Sequence, residues 1–319
     1  MNSLRTAVIG VGYLGNFHAQ KYASLPQSKL IGVCDADPDR AKEIAEKYHT
    51  QAFSDCRDLF GQVDAVSIAA PTALHYEIAL NFLKNGVHVL LEKPMTVTLD
   101  EADELIRVAQ NKKIILQVGH LERFNSALKG VQIFLDHPKF IESIRIAPFK
   151  PRGTDVNVVL DLMIHDIDII QFLVKSDIKH ISANGASVLT PHIDIANARL
   201  EFRNGAVANV TASRVSLKSQ RLLRIFQHNA YLSLDLGEKR LVMHQKGEGE
   251  MFPGVPEIVS REEDFEQGDA LKDQIDSFLN AILKSTPPVV SGIEARTALA
   301  TAIEITQIMR QHNREYEME

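Results

Sequence analysis

The chain has 319 residues, a formal net charge of −6, 45% apolar residues and 24% charged residues. These values are ordinary for a globular protein of two domains, and they give no basic surface for nucleic acid and no apolar run long enough to span a membrane. The chain has only two cysteines and enters a strand almost at once, without a secretory leader. We therefore expect a cytoplasmic protein with neither a disulfide framework nor a structural zinc site.

Residues 1–120 alternate between short apolar strands and helices. Strands are predicted at residues 6–10, 30–35, 64–70, 87–91 and 114–118. Helices are predicted between them, at residues 14–25, 36–48, 74–86 and 98–110. Asp37 with Pro38 marks one helix start, and the capping box of Thr98 and Glu101 marks another. Doubly apolar strands that alternate with helices predict a doubly wound parallel sheet of the Rossmann type.

Residues 121–319 show a different pattern and are predicted to form a second, α+β domain. Helices are predicted at residues 125–136, 158–174, 271–283 and 293–309. Strands are predicted at residues 140–149, 180–189, 194–202, 206–215, 221–229, 230–236 and 239–245. The Asn204-Gly205 turn indicates a hairpin, so the sheet is expected to be open and mostly antiparallel. Residues 246–269 are predicted to form a long loop, and the C-terminal helix to pack back on the first domain. The exposed sheet face predicts a homodimer or homotetramer.

The sequence GVGYLG lies between the first strand and the first helix and has the G-x-G-x-x-G spacing. The spacing alone is weak evidence, and a plain tight turn is the alternative, but Asp35 lies 20 residues beyond Gly15 at the end of the second strand, as a dinucleotide site requires. The pyrophosphate would lie at the helix N-terminus. The predicted cofactor contacts here are Gly10, Val11, Gly12, Tyr13, Leu14, Gly15 and Asp35. Because Ala36, and not an arginine, follows Asp35, the motif favours NAD over NADP.

Further candidate cofactor-binding residues lie at the ends of later strands. In AAPTALH, Pro71 ends the third strand, and Thr72 and His75 are predicted to face the cleft, although a capped helix start is an equal alternative. In HVLLEKPMT, an apolar run ends in Glu92 and Lys93, where charges can act on a ligand; a strand end that meets solvent is the alternative. Further cofactor contacts are predicted at Ala70, Pro71, Thr72, His75, Glu92, Lys93 and His120.

The sequence DLMIHDIDII places Asp161, His165 and Asp168 at i, i+4 and i+7 of a largely apolar helix. Histidine suits proton transfer near neutral pH, and an aspartate can orient it. A satisfied core histidine is the alternative interpretation. A metal site is disfavoured, because only two ligands are visible.

Taken together, GVGYLG, VCDADP, AAPTALH, LLEKPMT and DLMIHDID resemble, in order and over almost the whole chain, the glucose-fructose oxidoreductase/inositol dehydrogenase/MocA family. The resemblance implies hydride transfer between NAD and a secondary alcohol of a sugar, without a metal. It also implies a catalytic group of Lys93, Asp161 and His165, in which His165 is the base, Lys93 stabilises the alkoxide and Asp161 holds the substrate or the histidine. The Lys93-Pro94 peptide is often cis in this family.

The segments QVGHLERFN, RGTDVNVVLDLMIHDIDI and TASRVS resemble a branch that includes UDP-N-acetylglucosamine 3-dehydrogenases. This implies a nucleotide-sugar substrate. Arg123, Lys150 and Arg152 could bind its diphosphate, although isolated basic residues in a loop are usually only solvated. The predicted substrate contacts are Arg123, Asn125, Arg152, Asp161 and His165. Three alternatives stay open: a free sugar or polyol dehydrogenase, a reductase of an imine or tetrapyrrole, and a non-catalytic dinucleotide-sensing regulator.

Overall fold

The computed structural model describes residues 3–150 and 156–317, with side chains described as far as residue 312. Its strands are β1 Leu4–Ile9, β2 Ser28–Cys34, β3 Gln51–Phe53, β4 Ala65–Ile68, β5 His88–Leu91, β6 Leu116–Val118, β7 Phe140–Ile146, β8 Ile178–Ala186, β9 Ile195–Phe202, β10 Val207–Ser213, β11 Gln220–Gln227, β12 Ala230–Asp235, β13 Arg240–Phe252 and β14 Val255–Asp264. Its α-helices are α1 Tyr13–Ser24, α2 Pro38–Lys47, α3 Thr72–Lys84, α4 Leu99–Lys112, α5 Ser126–Val131, α6 Ile164–Val174, α7 Ala270–Lys284 and α8 Gly292–Glu317. None of the helices in these ranges is long and apolar enough to cross a membrane.

The first unit comprises Met1–Leu121 and Asp269–Thr297, and its sheet is parallel throughout. Its six described strands lie in the order β3-β2-β1-β4-β5-β6, so the strand order reverses between β1 and β4. This confirms the predicted doubly wound sheet, in which ligands bind outside the carboxyl ends of the strands. The sequence pattern did not reveal β3, because this strand has only three residues and two of them are exposed.

The segment Asp269–Thr297 belongs to this first unit, whereas the sequence division placed it in the second domain. The physical reason is the apolar face of α7. Its residues Ile275, Phe278 and Leu279 are fully buried in the same core as Tyr22 of α1 and Leu90 of β5. A helix that is distant in sequence thus completes the core beside the first sheet.

The second unit comprises Glu122–Gly268 and Ala298–Glu319. Its eight described strands lie in the order β14-β13-β12-β11-β7-β10-β9-β8, and every neighbouring pair is antiparallel except β7 with β10. Apolar residues of every described strand of this sheet except β14 pack into one core with α5, α6 and the second-unit part of α8. The predicted mostly antiparallel sheet with a helix layer on one face is confirmed.

The stretch predicted as a long loop, residues 246–269, is largely a hairpin instead. The strands β13 and β14 pair through Lys246↔Ile258 and His244↔Ser260, and Gly254 supplies the positive φ of 78° in the turn. The prediction was wrong because this part of the hairpin is exposed on both faces and therefore lacks the alternation of a half-buried strand. Backbone pairing, and not burial, defines these strands.

Candidate functional site

The carboxyl ends of five parallel strands of the first unit meet in one row. The register places the following residues side by side across the sheet: Cys34, Ile9, Ile68, Leu91 and Val118. Backbone N–H groups one residue further on still donate to the neighbouring strand, for example from Glu92 to the Ile68 carbonyl at 3.0 Å. The residues that follow the strands therefore also stand in a row, and these are Asp35, Gly10, Ala69, Glu92 and Gly119. The predicted motifs meet at this edge.

The glycine-rich loop joins β1 to α1, as predicted. Gly10 has a φ of 79°, and a Cβ there would lie 2.7 Å from the backbone nitrogen of Ala70. A Cβ on Gly15 would lie 1.8 Å from the Gly10 carbonyl oxygen, so helix and strand approach as closely as glycine allows. Gly12 is the N-cap of α1 and brings no side chain over the free N–H groups of the helix. Tyr13 and Leu14 are exposed beside it. The loop fits a dinucleotide pyrophosphate.

Asp35 ties the glycine-rich loop to the end of β2. Its Oδ2 accepts a hydrogen bond from the Val11 N–H at 2.8 Å, and its Oδ1 accepts one from the Asp37 N–H at 3.0 Å. Each oxygen has a second lone pair, so the carboxylate can also accept from hydroxyl groups of a ligand. Arg40 was not predicted; its Nη1 would lie 3.6 Å from a Cβ on Gly12, which places a positive charge beside the loop.

Ala70 and Pro71 follow β4, and α3 begins at the half-buried Thr72. His75, predicted to face the cleft, is buried instead, because it lies one turn into α3 on the side that packs on the strand ends. Its Nδ1 lies 2.9 Å from the Pro94 carbonyl oxygen, and its Nε2 lies 2.8 Å from the Ala70 carbonyl oxygen. Burial lowers the pKa of His75, and the two carbonyls offset part of that shift. The ring links the ends of two strands.

The segment after β5 carries a carboxylate, an ammonium and a cis peptide bond between Lys93 and Pro94. Glu92 Oε1 lies 3.2 Å from His18 Nε2, and its Oε2 accepts from the Lys93 N–H at 3.3 Å. Burial raises the pKa of Glu92, but the hydrogen bond from His18 and the electrostatic interactions with His18 and Lys93 outweigh it, so the pKa lies below its usual value. Glu92 is therefore ionised at neutral pH, beside the half-buried Lys93.

Gly119 and His120 follow β6. A Cβ on Gly119 would lie 2.6 Å from Glu92 Oε1, so glycine at this position makes room for the carboxylate. His120 is buried, and its backbone N–H donates to the Val118 carbonyl at 2.9 Å. The motifs in the sequence did not indicate the roles of Gly119 and His18. A signal existed for His18, since it lies in the buried stripe of α1, whose members are Gly15, His18, Ala19 and Tyr22.

In the second unit, Asp161 and His165 lie where a π-helical turn, Val159–Met163, runs into α6. Both side chains are half-buried, whereas Asp168 is fully buried. Asp168 is instead turned inward, where it accepts hydrogen bonds from Arg123, so the predicted polar stripe of three residues is reduced to Asp161 and His165. Wide turns of this kind occur frequently at functional sites.

Arg123 is engaged inside the second unit. Its Nε and Nη2 donate to the two carboxylate oxygens of Asp168 at 2.6 and 3.0 Å, and its guanidinium lies 3.9 Å from the centre of the Phe172 ring. The side chain is only 3% exposed. Asp168 takes up the Nε and Nη2 donors, which form one of the two edges through which a guanidinium binds a phosphate. This geometry disfavours the predicted contact with a substrate diphosphate.

Asn125 is buried as well and caps α5, with its side-chain oxygen accepting from the Ala127 N–H at 3.1 Å. Its amide nitrogen donates to Glu122 and to the Leu236 carbonyl. These hydrogen bonds account for a polar side chain at position 125 without a contact to the substrate. Of the two basic loop residues, Lys150 is exposed, and Arg152 lies outside the described residues.

A second buried ion pair involves Asp166, the residue that follows His165 in α6. Arg145 donates to both oxygens of Asp166 at 2.6 and 3.1 Å and to Glu122 at 2.8 Å, and Ser143 donates to Asp166 at 2.9 Å. Burial raises the pKa of Glu122, but the charges of Arg145 and Arg221 outweigh it and lower the pKa. The helix that carries His165 is thus held by charged hydrogen bonds, which are the strong kind. Within the described ranges, no group of three His, Cys, Asp or Glu side chains could hold a metal ion.

Comparison with known proteins agrees with this geometry. A family model of the GFO/IDH/MocA oxidoreductases, NAD-binding Rossmann fold, matches residues 4–120, and the model of the GFO/IDH/MocA C-terminal domain matches residues 132–232. A UDP-N-acetylglucosamine 3-dehydrogenase of Acidithiobacillus ferrooxidans is 40% identical over 96% of this chain and 97% of its own length. A solved structure of such an enzyme from that organism has a TM-score of 0.92 at 40% identity and covers 97% of this chain and 98% of its own.

More distant relatives act on free polyols. A scyllo-inositol 2-dehydrogenase (NAD(+)) of Bacillus subtilis is 26% identical over 97% of this chain and 95% of its own length. The structure of a scyllo-inositol dehydrogenase from Lactobacillus casei, with bound NAD(H) and scyllo-inositol, has a TM-score of 0.82 at 18% identity and covers 98% of both chains, which shows a shared fold. The chain therefore belongs to the GFO/IDH/MocA family of NAD-binding oxidoreductases.

Proposed function

We propose that this enzyme oxidises the 3-hydroxyl group of UDP-N-acetylglucosamine to a ketone, with NAD as the hydride acceptor. The observation that carries the proposal is the 40% identity over 96% of the chain with a relative of that name. The inositol dehydrogenase of Bacillus subtilis shares only 26% identity over a similar length. A free polyol is therefore the second candidate substrate, and the experiment below separates the two.

The proposed chemistry assigns one task to each residue. Bound NAD supplies the hydride acceptor. His165 removes the proton of the hydroxyl group as the hydride leaves the adjacent carbon. The ammonium of Lys93 stabilises the negative charge that develops on the oxygen. Asp161 orients His165 or the sugar. The reaction yields the ketone, NADH and one proton, so atoms and charge balance.

Two observations support these roles. Lys93 lies at the carboxyl end of a parallel strand, where this sheet type binds its ligands, and an ionised Glu92 lies beside it. His165 and Asp161 are half-buried polar residues in and just after the π-helical turn. Arg123 is already bound to Asp168, so its guanidinium is not assigned to the nucleotide. The diphosphate contact of Arg152 stays a prediction.

We further propose that the open face of the second sheet joins copies of this chain into a homodimer or homotetramer. Half-buried rings form a row across four strands of this face, with centroid separations of 5.7, 4.9 and 5.9 Å, and they are Phe140, Phe226, Tyr231 and His244. Such a row is typical of surfaces that pack against a partner. A cytoplasmic location stays a prediction from the composition of the chain.

Cofactor choice gives the first prediction. A carboxylate at position 35 facing the 2′-phosphate of NADPH should cost about 1–3 kcal/mol, so NADH should bind roughly ten- to hundredfold more tightly than NADPH. Asp35→Asn, which keeps one oxygen for the Val11 N–H, should reduce this difference in affinity. Fluorescence titration of both cofactors measures the two dissociation constants. As a control, Asp39→Asn removes the same charge on the first turn of α2 and should leave the difference in affinity unchanged. Equal binding of both cofactors to the wild type would refute the assignment.

The catalytic assignment predicts that Lys93→Met and His165→Asn each lower turnover by about 10²-fold or more while NADH binding stays nearly intact. The measurements are initial rates and a fluorescence titration of NADH. Lys84→Met and His49→Asn, two substitutions of the same kind at surface positions, serve as controls and should retain wild-type turnover. Wild-type turnover in both Lys93→Met and His165→Asn would contradict the catalytic roles assigned to these residues. Loss of folding in His165→Asn alone would favour a structural histidine.

The substrate is tested by incubating the protein with NAD, UDP-N-acetylglucosamine, glutamate and a transaminase that aminates the ketone. Because the oxidation is expected to be unfavourable at neutral pH, removal of the ketone should drive it forward. Mass spectrometry should then show an amino group in place of one hydroxyl group on the nucleotide sugar. Parallel reactions contain free N-acetylglucosamine or myo-inositol, with NADH absorbance as the readout. Turnover of a free polyol, with none of the nucleotide sugar, would reassign the substrate.

The assembly proposal predicts a mass of two or four chains by light scattering of the wild-type protein. Phe226→Glu places a charge in the aromatic row and should shift the mass towards one chain. Gln110→Glu adds the same charge on α4 of the first unit and should not change it. A wild-type protein with the mass of one chain contradicts the proposal, as does a Phe226→Glu variant that melts normally and keeps the full assembly.

A further inference from the structure

Two buried histidines meet the segment that carries Lys93. His18 comes from α1 and His75 from α3, and each is 1% exposed. His18 contacts the side chain of Glu92, and His75 contacts the carbonyl oxygen of Pro94. The residues on either side of Lys93 are therefore both held by imidazole rings that are shielded from solvent.

The hydrogen bond of His18 has one consistent arrangement. Its Nε2 lies 3.2 Å from Glu92 Oε1, a carboxylate oxygen that can only accept, so Nε2 carries the proton. The other ring nitrogen, Nδ1, is buried and has no hydrogen-bond partner among the described residues. The ring thus makes one directed contact, and that contact is with Glu92.

The carboxylate of Glu92 is restrained on three sides. His18 donates to Oε1, and the backbone N–H of Lys93 donates to Oε2 at 3.3 Å. On the third side lies the bare Cα of Gly119, where an added Cβ would come within 2.6 Å of Oε1. Because the carboxylate binds the peptide nitrogen of Lys93 itself, any shift of the carboxylate moves the backbone from which the lysine projects. It also keeps a negative charge next to the ammonium.

We infer that His18 is a positioning residue for the proposed reaction: it fixes the carboxylate of Glu92 and, through it, the backbone of Lys93. The inference rests on the proposed function, because Lys93 is the group that is positioned. His18 itself contacts neither the substrate nor the reacting atoms. Displacement of a reacting group by about 1 Å can lower a rate by about 10²-fold, so a buried contact of this kind has a measurable effect on turnover.

The matched test pair is His18→Leu, which fills the site without a donor, and His18→Gln, whose side-chain NH₂ reaches the position of Nε2. In the Leu variant kcat should fall about ten- to hundredfold, while the KM for NAD and the Kd of NADH change little. The Gln variant should recover most of the lost turnover. Thermal unfolding checks that both variants are folded. A Leu variant with wild-type kcat, or a Gln variant as slow as the Leu variant, overturns the inference.

A double-mutant cycle separates positioning from packing. If His18 acts through Glu92, the His18→Leu change should have little effect in the Glu92→Met background, which has a side chain of similar length without an oxygen acceptor, and the two losses should be strongly non-additive. If His18 merely packs in α1, the two losses should add. Additive losses therefore refute the inference.

A measurement without substrate keeps this inference distinct from the proposed function. The rate at which an amine reagent labels Lys93, relative to exposed Lys84 and read by mass spectrometry, reports the placement of the lysine directly. Labelling of Lys93 should accelerate in His18→Leu and return towards the wild-type rate in His18→Gln. An unchanged labelling rate in His18→Leu overturns the positioning role. Altered labelling in a protein whose Lys93→Met variant is fully active would instead refute the proposed catalytic role of Lys93.

Discussion

Parallel pairing of five strands in one register is the constraint on which the first unit depends. Because Cys34, Ile9, Ile68, Leu91 and Val118 stand side by side, the next residue of every strand reaches the same edge. Five separate stretches of sequence thereby become neighbours without any long-range recognition between their side chains. A shift of one strand by one residue would turn its side chains to the other face and move its motif out of the row.

Much of the first unit could be predicted because its signals are local. The glycine spacing, the Asp37 N-cap and the capping box at Thr98 each depend on residues within one turn of chain, and the structure confirms all three. The short β3, the exposed hairpin of β13 and β14, and the inclusion of α7 in the first unit were not predicted. These features depend on backbone pairing or on burial by residues far away in sequence, which periodicity does not report.

Polar side chains of the candidate site were hardest to interpret for the same reason. A sequence shows that His75 and Arg123 are polar, but it does not show whether the folded interior supplies a hydrogen-bond partner for them. His75 meets two carbonyl groups, and Arg123 meets Asp168 and the ring of Phe172. Since buried charges persist only when they are paired, Asp168 is better explained as an anchor of α6, like Asp166, than as a member of the predicted polar stripe.

The bare Cα of Gly119 also links the choice of residue at positions 92 and 119 of this chain. The Glu92 carboxylate occupies the volume that a methyl group at position 119 would need. An alanine there would force the carboxylate to move, and a displaced carboxylate would lose its contact with His18. A substitution at any one of these three positions is thus constrained by the other two, although one lies in α1 and the others follow β5 and β6.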